Sequence, residues 1–85
     1  MYTRELILRN LYRAPGEKIS AMNLEGLIRR SGIVRSDRIK EYVMWLVACQ
    51  FLKADTKSTG DTRYFIIKEG IKNELLTAFK APDIE

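Results

Sequence analysis

Apolar residues recur along this chain first with a helical period, then in two short extended runs, and finally with a helical period again. Leu6, Ile7 and Leu11, with Tyr2 or Thr3 one step back, share one face of a helix predicted over residues 3–13, and Arg4, Arg9 and Arg13 fall on the other side. Ala14-Pro15-Gly16 stops it, because proline offers no amide to a continuing helix and glycine accepts the turn. Lys18-Ile19-Ser20 reads as a short extended entry, with Ser20 as N-cap of a second helix over about residues 21–30 whose inward stripe is Leu24, Leu27 and Ile28. Gly32 suits the left-handed residue just past that helix, and Ile33 can fold back as its apolar partner. After a turn from Ser31 to Arg35, Ser36 is expected to cap a third helix over about residues 37–50. Ile39, Val43, Leu46, Val47 and roughly Gln50 line its inner face.

Beyond it the period becomes extended. Phe51 to Thr56 and Thr62 to Ile67 flank the polar segment Lys57-Ser58-Thr59-Gly60-Asp61, a β-hairpin with Gly60 supplying the turn. A last helix is predicted from Glu69 or Gly70 to Phe79, with Ile71, Leu75 and Phe79 inward and Pro82 ending the ordered chain. Two helices joined by a short turn and followed by a hairpin describe an α+β domain. Its expected form is a winged helix-turn-helix, with a three-helix core, a β-hairpin wing and a C-terminal helix.

Composition narrows the chemistry. Eighty-five residues fit one domain, and 46% apolar with 31% charged residues is a folding composition. No apolar run approaches the roughly 18 residues that span a bilayer, and the N-terminus lacks the layout of a signal peptide, so the expected address is cytoplasmic. Cys49 is the lone cysteine and histidine is absent, which removes internal disulfides, Cys/His metal clusters and His-dependent triads. The carboxylates show no paired acid and base spacing, so no enzyme, cofactor or small-molecule ligand is expected. The net charge of +4 is unevenly spread: Arg29, Arg30, Arg35, Arg38 and Lys40 face only Asp37, whereas from Glu69 onward acids outnumber bases. The middle of the chain is therefore the part suited to a polyanion.

From Ile19 to Gly70 the sequence resembles the MarR-like and PadR-like winged-helix regulators. The likeness is carried by Ile19-Ser20, Leu24, Leu27-Ile28, Ser31-Gly32-Ile33, Ile39, Val43, Leu46, Phe51-Leu52 and Tyr64-Phe65-Ile66-Ile67-Lys68-Glu69-Gly70. The family usually has glycine where Gln50 stands and threonine where Ile67 stands. The resemblance implies a third helix that reads DNA and a wing that touches the minor groove or phosphates.

With Ile39, Val43 and Leu46 inward, the outer face of the third helix is expected to carry Asp37, Arg38, Glu41, Met44 and Trp45, with Lys40 at its border. Arg35, Ser36, Asp37, Arg38, Lys40, Glu41 and Met44 are the candidate groove residues. Arg38 suits guanine, Glu41 a cytosine amine and Met44 a thymine methyl. A merely solvated charged face is the alternative. Arg29, Arg30 and Arg35 bracket the turn where phosphates pass, or for the first two simply answer the dipole at a helix end. Lys57, Ser58, Thr59 and Arg63 are the candidate wing contacts. Trp45 is expected to cover the first helix or meet a second copy, and Cys49 to behave as a small hydrophobe. Tyr2, Leu8, Tyr12, Leu76 and Phe79 exceed what one small core needs and suggest a homodimer through the first and last helices. Double-stranded DNA binding in transcription regulation is the leading function. The alternatives are a winged-helix protein-protein interaction module and an architectural DNA binder without sequence specificity, with single-stranded RNA binding behind them.

Overall fold

The computed structural model describes residues 2–56, Gly60 and residues 62–84. Helix α1 spans Thr3–Arg13, strand β1 Lys18–Ser20, helix α2 Ala21–Arg30, helix α3 Ser36–Ala48, strand β2 Leu52–Ala54, strand β3 Arg63–Ile66 and helix α4 Lys68–Thr77. A 3-10 turn follows at Pro82–Ile84. The strands form an antiparallel sheet in the order β1-β3-β2, so the chain is a small α+β fold whose arrangement is compatible with a winged helix. Among the described residues no helix is long and apolar enough to cross a membrane.

The apolar stripes meet in a core where Ile7, Leu8 and Leu11 of α1 face Leu24 and Ile28 of α2, with Ile39 and Leu46 of α3 and Ile71 and Leu75 of α4 closing it. Strand β3 alternates as a half-buried strand should, Ile66 turning into that core and Tyr64 packing against it. The sheet is larger than the hairpin expected from the chain pattern. Three-residue β1 pairs with β3, setting Ile19 opposite Tyr64 and Ser20 opposite Arg63, a pairing too short to announce itself by periodicity.

The ends of α2 and α3 are closed in the same way. Past α2, the amides of Gly32 and Ile33 donate back to the carbonyls of Arg29 and Ile28; past α3, those of Gln50 and Phe51 donate to Val47 and Leu46. This geometry needs a left-handed residue, which Gly32 supplies at φ 105° and Gln50 at φ 63°. Gln50 therefore lies outside α3 and is exposed rather than inward, and the position at which the resembled family carries glycine is one whose backbone favours glycine.

Other expectations are corrected. Arg35, not Ser36, holds the capping position of α3, and Ser36 is the first helical residue with no side-chain cap bond formed. The helix starts early because the Arg35 carbonyl already accepts from the Ile39 amide. Val47 is 37% exposed and Cys49, at the C-cap, is exposed, since the core contact of α3 ends at Leu46. Trp45 is half-buried rather than open on the outer face and, as expected, meets the first helix: its ring packs edge-on against Tyr42 and Phe51 and lies under the Arg4 guanidinium of α1, 4.9 Å from the ring centre. Leu8 is fully buried within its own core, and Tyr12, Leu76 and Phe79 pack against that core, which leaves Tyr2 as the freely exposed member of the expected surplus. Pro82 does not end the ordered chain, because the following turn buries Ile84 and brings Asp83 back to α1.

That return explains a further correction. Arg9 is buried rather than solvated: its Nε donates to Glu5 at 2.9 Å and its two terminal nitrogens to Asp83 at 2.8 and 3.0 Å. A charge is tolerated there because both carboxylates and a bidentate fork satisfy it. Ser31, the other buried polar residue, accepts from Asn10 and donates to the Leu27 carbonyl. Among the described residues no buried side-chain nitrogen or oxygen lacks a partner.

Candidate nucleic-acid interface

With Ile39 and Leu46 turned into the core, α3 presents its other side to water. Arg35, Ser36, Asp37, Arg38, Lys40, Glu41 and Met44 are all exposed, Met44 at 70%. Two of the cations are engaged locally. Arg35 forks onto Asp37 through Nε at 3.2 Å and a terminal nitrogen at 2.8 Å, and Arg38 Nε stands 3.5 Å from Glu41 while its guanidinium lies over the Tyr42 ring at 5.8 Å. Lys40 has no carboxylate partner among the described residues. Exposed pairs of this kind are worth at most about 1 kcal/mol, so either arginine is free to exchange its carboxylate for a phosphate or a base edge. Asp37 is thus both a first-turn carboxylate at the positive end of the α3 dipole and the clamp that orients Arg35.

The α2–α3 turn is fixed by the left-handed Gly32 and by Ile33 packing against the core, which pushes Val34 into solvent at 76% exposure. Lys57, Ser58 and Thr59 lie outside the described residues. The base of the hairpin is described: the Asp55 amide donates to the Arg63 carbonyl, and the Ala21 amide, opening α2, donates to the Thr62 carbonyl at 2.8 Å. Arg63 is exposed and sits beside the start of α2.

The structure groups the candidates differently from their order in the chain. Arg63 and Arg30 line one groove of about 480 Å³, together with Arg13 and Lys18, whereas Arg35 and Arg38 are not among its lining residues. Arg13, Lys18 and Asn23 carry no signal as site residues in the sequence, since each lies at the edge of a different element, and the β1–β3 pairing, which sets Ser20 opposite Arg63, brings Arg63 to them. On the outer sheet face Lys18 stacks over Phe65 at 4.7 Å and reaches Asp55 at 3.3 Å.

Among the described residues the clearly perturbed pair is Arg9 with Asp83, outside the linings of both surfaces. Asp83 accepts two hydrogen bonds from Arg9, which hold its carboxyl below the usual range, and the same bonds, with the one Arg9 donates to Glu5, hold Arg9 more firmly protonated than usual. No group of three or more metal-ligating side chains occurs among the described residues. Comparisons of the chain with protein-family models, with curated proteins and with solved structures found no match in any of the three.

Proposed function

We propose that this protein binds double-stranded DNA as a winged helix-turn-helix regulator, laying α3 in the major groove and its β2–β3 hairpin against the neighbouring backbone. The observation that carries the reading is the outer side of α3: every residue from the first two turns that points away from the core is exposed, and Arg35, Arg38 and Lys40 are among them. A helix about 10–12 Å across fits a groove about 12 Å wide, and its N-terminal turns are those that meet base edges. The resemblance of residues 19–70 to MarR-like and PadR-like regulators points the same way. A twofold dimer across α1 and α4 belongs to this reading. Tyr2 is 77% exposed there, and two copies would meet half-sites about 34–36 Å apart.

A second reading draws on a specific observation. Arg35 and Arg38 already have carboxylate partners, and Val34 and Met44 stand open beside them, which suits a protein partner better than a phosphate chain. The deciding experiment titrates selected and random duplexes at two salt concentrations with the parent and with Arg38→Ala. Under the DNA reading, log affinity falls with log salt by about 0.9 per phosphate neutralised. Arg38→Ala then loses about 1–3 kcal/mol on the selected duplex and little on the random one. Equal affinity for both duplexes indicates the architectural variant, and an affinity flat in salt, or absent, rejects DNA binding in favour of the protein partner.

A further inference from the structure

We infer that the groove between the end of α1, strand β1 and α2 is a binding site for a chain of phosphoryl groups. Its cations come from four elements: Arg13 from α1, Lys18 from β1, Arg30 from α2 and Arg63 from β3. No carboxylate lines it among the described residues. Lys18 is engaged by Asp55 and by the Phe65 ring, but Arg13, Arg30 and Arg63 form no direct ion pair among the described residues, Arg13 feeling Asp83 only at a distance, in contrast to Arg9, Arg35 and Arg38 elsewhere in the molecule. Three arginines line one concavity, which biases it toward an anionic ligand. Guanidinium is also the side chain whose planar fork matches phosphate oxygens.

The remaining walls suit the same ligand. Asn10, Ser20 and Asn23 supply neutral polar groups, and the groove reaches the N-terminus of the ten-residue α2, where the Ala21 and Asn23 amides are already taken by the Thr62 carbonyl and the Ser20 hydroxyl, so that this end contributes its dipole rather than free amides. The opposing carbonyl end of α1 also reaches the groove at Ala14, but that carbonyl is occupied by Lys68 Nζ. Arg30 lies back along α2 rather than over its terminal carbonyls: one of its terminal nitrogens is 3.5 Å from where a Cβ on Gly26 would stand, one turn earlier. At about 480 Å³ the space falls within the roughly 300–1,000 Å³ of small-ligand clefts and exceeds what a single phosphate needs.

The ligand chemistry is an oligophosphate, which a nucleic-acid backbone or a free polyphosphate can each provide. The inference does not rest on the reading of α3, because none of the α3 candidates lines the groove. Sodium tripolyphosphate is the probe, titrated calorimetrically at constant ionic strength into the parent and into Arg13→Gln, Arg30→Gln, Arg63→Gln and Arg35→Gln. The expected result is saturable one-to-one binding, weakened about tenfold or more by each groove substitution, since each removes charge-assisted bonds, and within about twofold of the parent in Arg35→Gln. Circular dichroism of each variant shows whether a loss of binding reflects a loss of fold. Absence of saturable binding, or equal weakening by Arg35→Gln, overturns the inference. A random duplex added to the loaded protein separates the sources: displacement of tripolyphosphate assigns the groove to a nucleic-acid backbone, and retention assigns it to a free oligophosphate, the site standing in both cases. Tripolyphosphate binding that survives in a protein with no affinity for any duplex rejects the DNA reading alone.

Discussion

Arg9 and Arg13 stand one turn apart on α1 and read alike in the chain, yet their surroundings differ completely. Arg9 is 8% exposed, walled in by Glu5 one turn before it and by Asp83 from the far end of the sequence. Arg13 is exposed at the mouth of a groove it shares with Arg30 and Arg63, and no carboxylate lies against it among the described residues. The first arginine is a structural part, whose charge is cancelled so that it can be covered. The second feels the Asp83 carboxylate only at a distance and forms no direct ion pair among the described residues, so its guanidinium is left open to a partner from outside. A cation in a sequence therefore announces a ligand only when the fold withholds an anion from it.

The contrast is open to direct attack. The largest effect on stability is expected from Arg9→Leu, which leaves Glu5 and Asp83 facing each other without their shared cation; thermal unfolding should show a clear fall in Tm, while Arg13→Leu leaves Tm near the parent value and removes tripolyphosphate binding instead. If the two variants lose stability equally, the distinction between them fails. A smaller effect follows from pH. The carboxyl of Asp83 is held below its ordinary range by the Arg9 bonds, so its contribution is complete above the ordinary carboxylate pKa and lost as pH falls through the depressed folded value. Tm of the parent should accordingly exceed that of Asp83→Asn at neutral pH, and the two curves should converge in acid; parallel curves would show that the pair does not titrate with folding. The smallest effect concerns the groove side. A Cβ on Gly26 meets Arg30 at an ordinary contact distance of 3.5 Å, so Gly26→Ala should raise stability by about 0.5–1 kcal/mol in a denaturant titration and leave tripolyphosphate affinity within about twofold.

The legible parts of this fold are those that depend on local periodicity. The inward stripes Leu24, Leu27, Ile28 and Ile39, Leu46 follow from spacing alone, and the exposed side of α3 is simply their complement. The cap at Ser20 was readable for the same reason, its hydroxyl accepting from the Asn23 amide three residues on. What escaped reading depends on distant partners. Burial of Arg9 needs Asp83, and the short extended segment at residues 18–20, though legible as such, finds its pairing only with β3. Gln50 escaped because the geometry there favours glycine while the residue is not one, so the pattern carried the helix two residues past its end at Ala48. The groove is the extreme case, assembled from four elements of which none is unusual by itself.

The order of the sheet carries one more consequence. Strands β1 and β2 form its two rims, each only three residues long, with Lys18 on one and Lys53 on the other. A neighbouring molecule seeking to add a strand finds few open amides, a lysine at each approach, and a left-handed Gly16 or Gln50 just before each rim begins. Growth of this sheet into fibrils is thus opposed at its outset by brevity and charge.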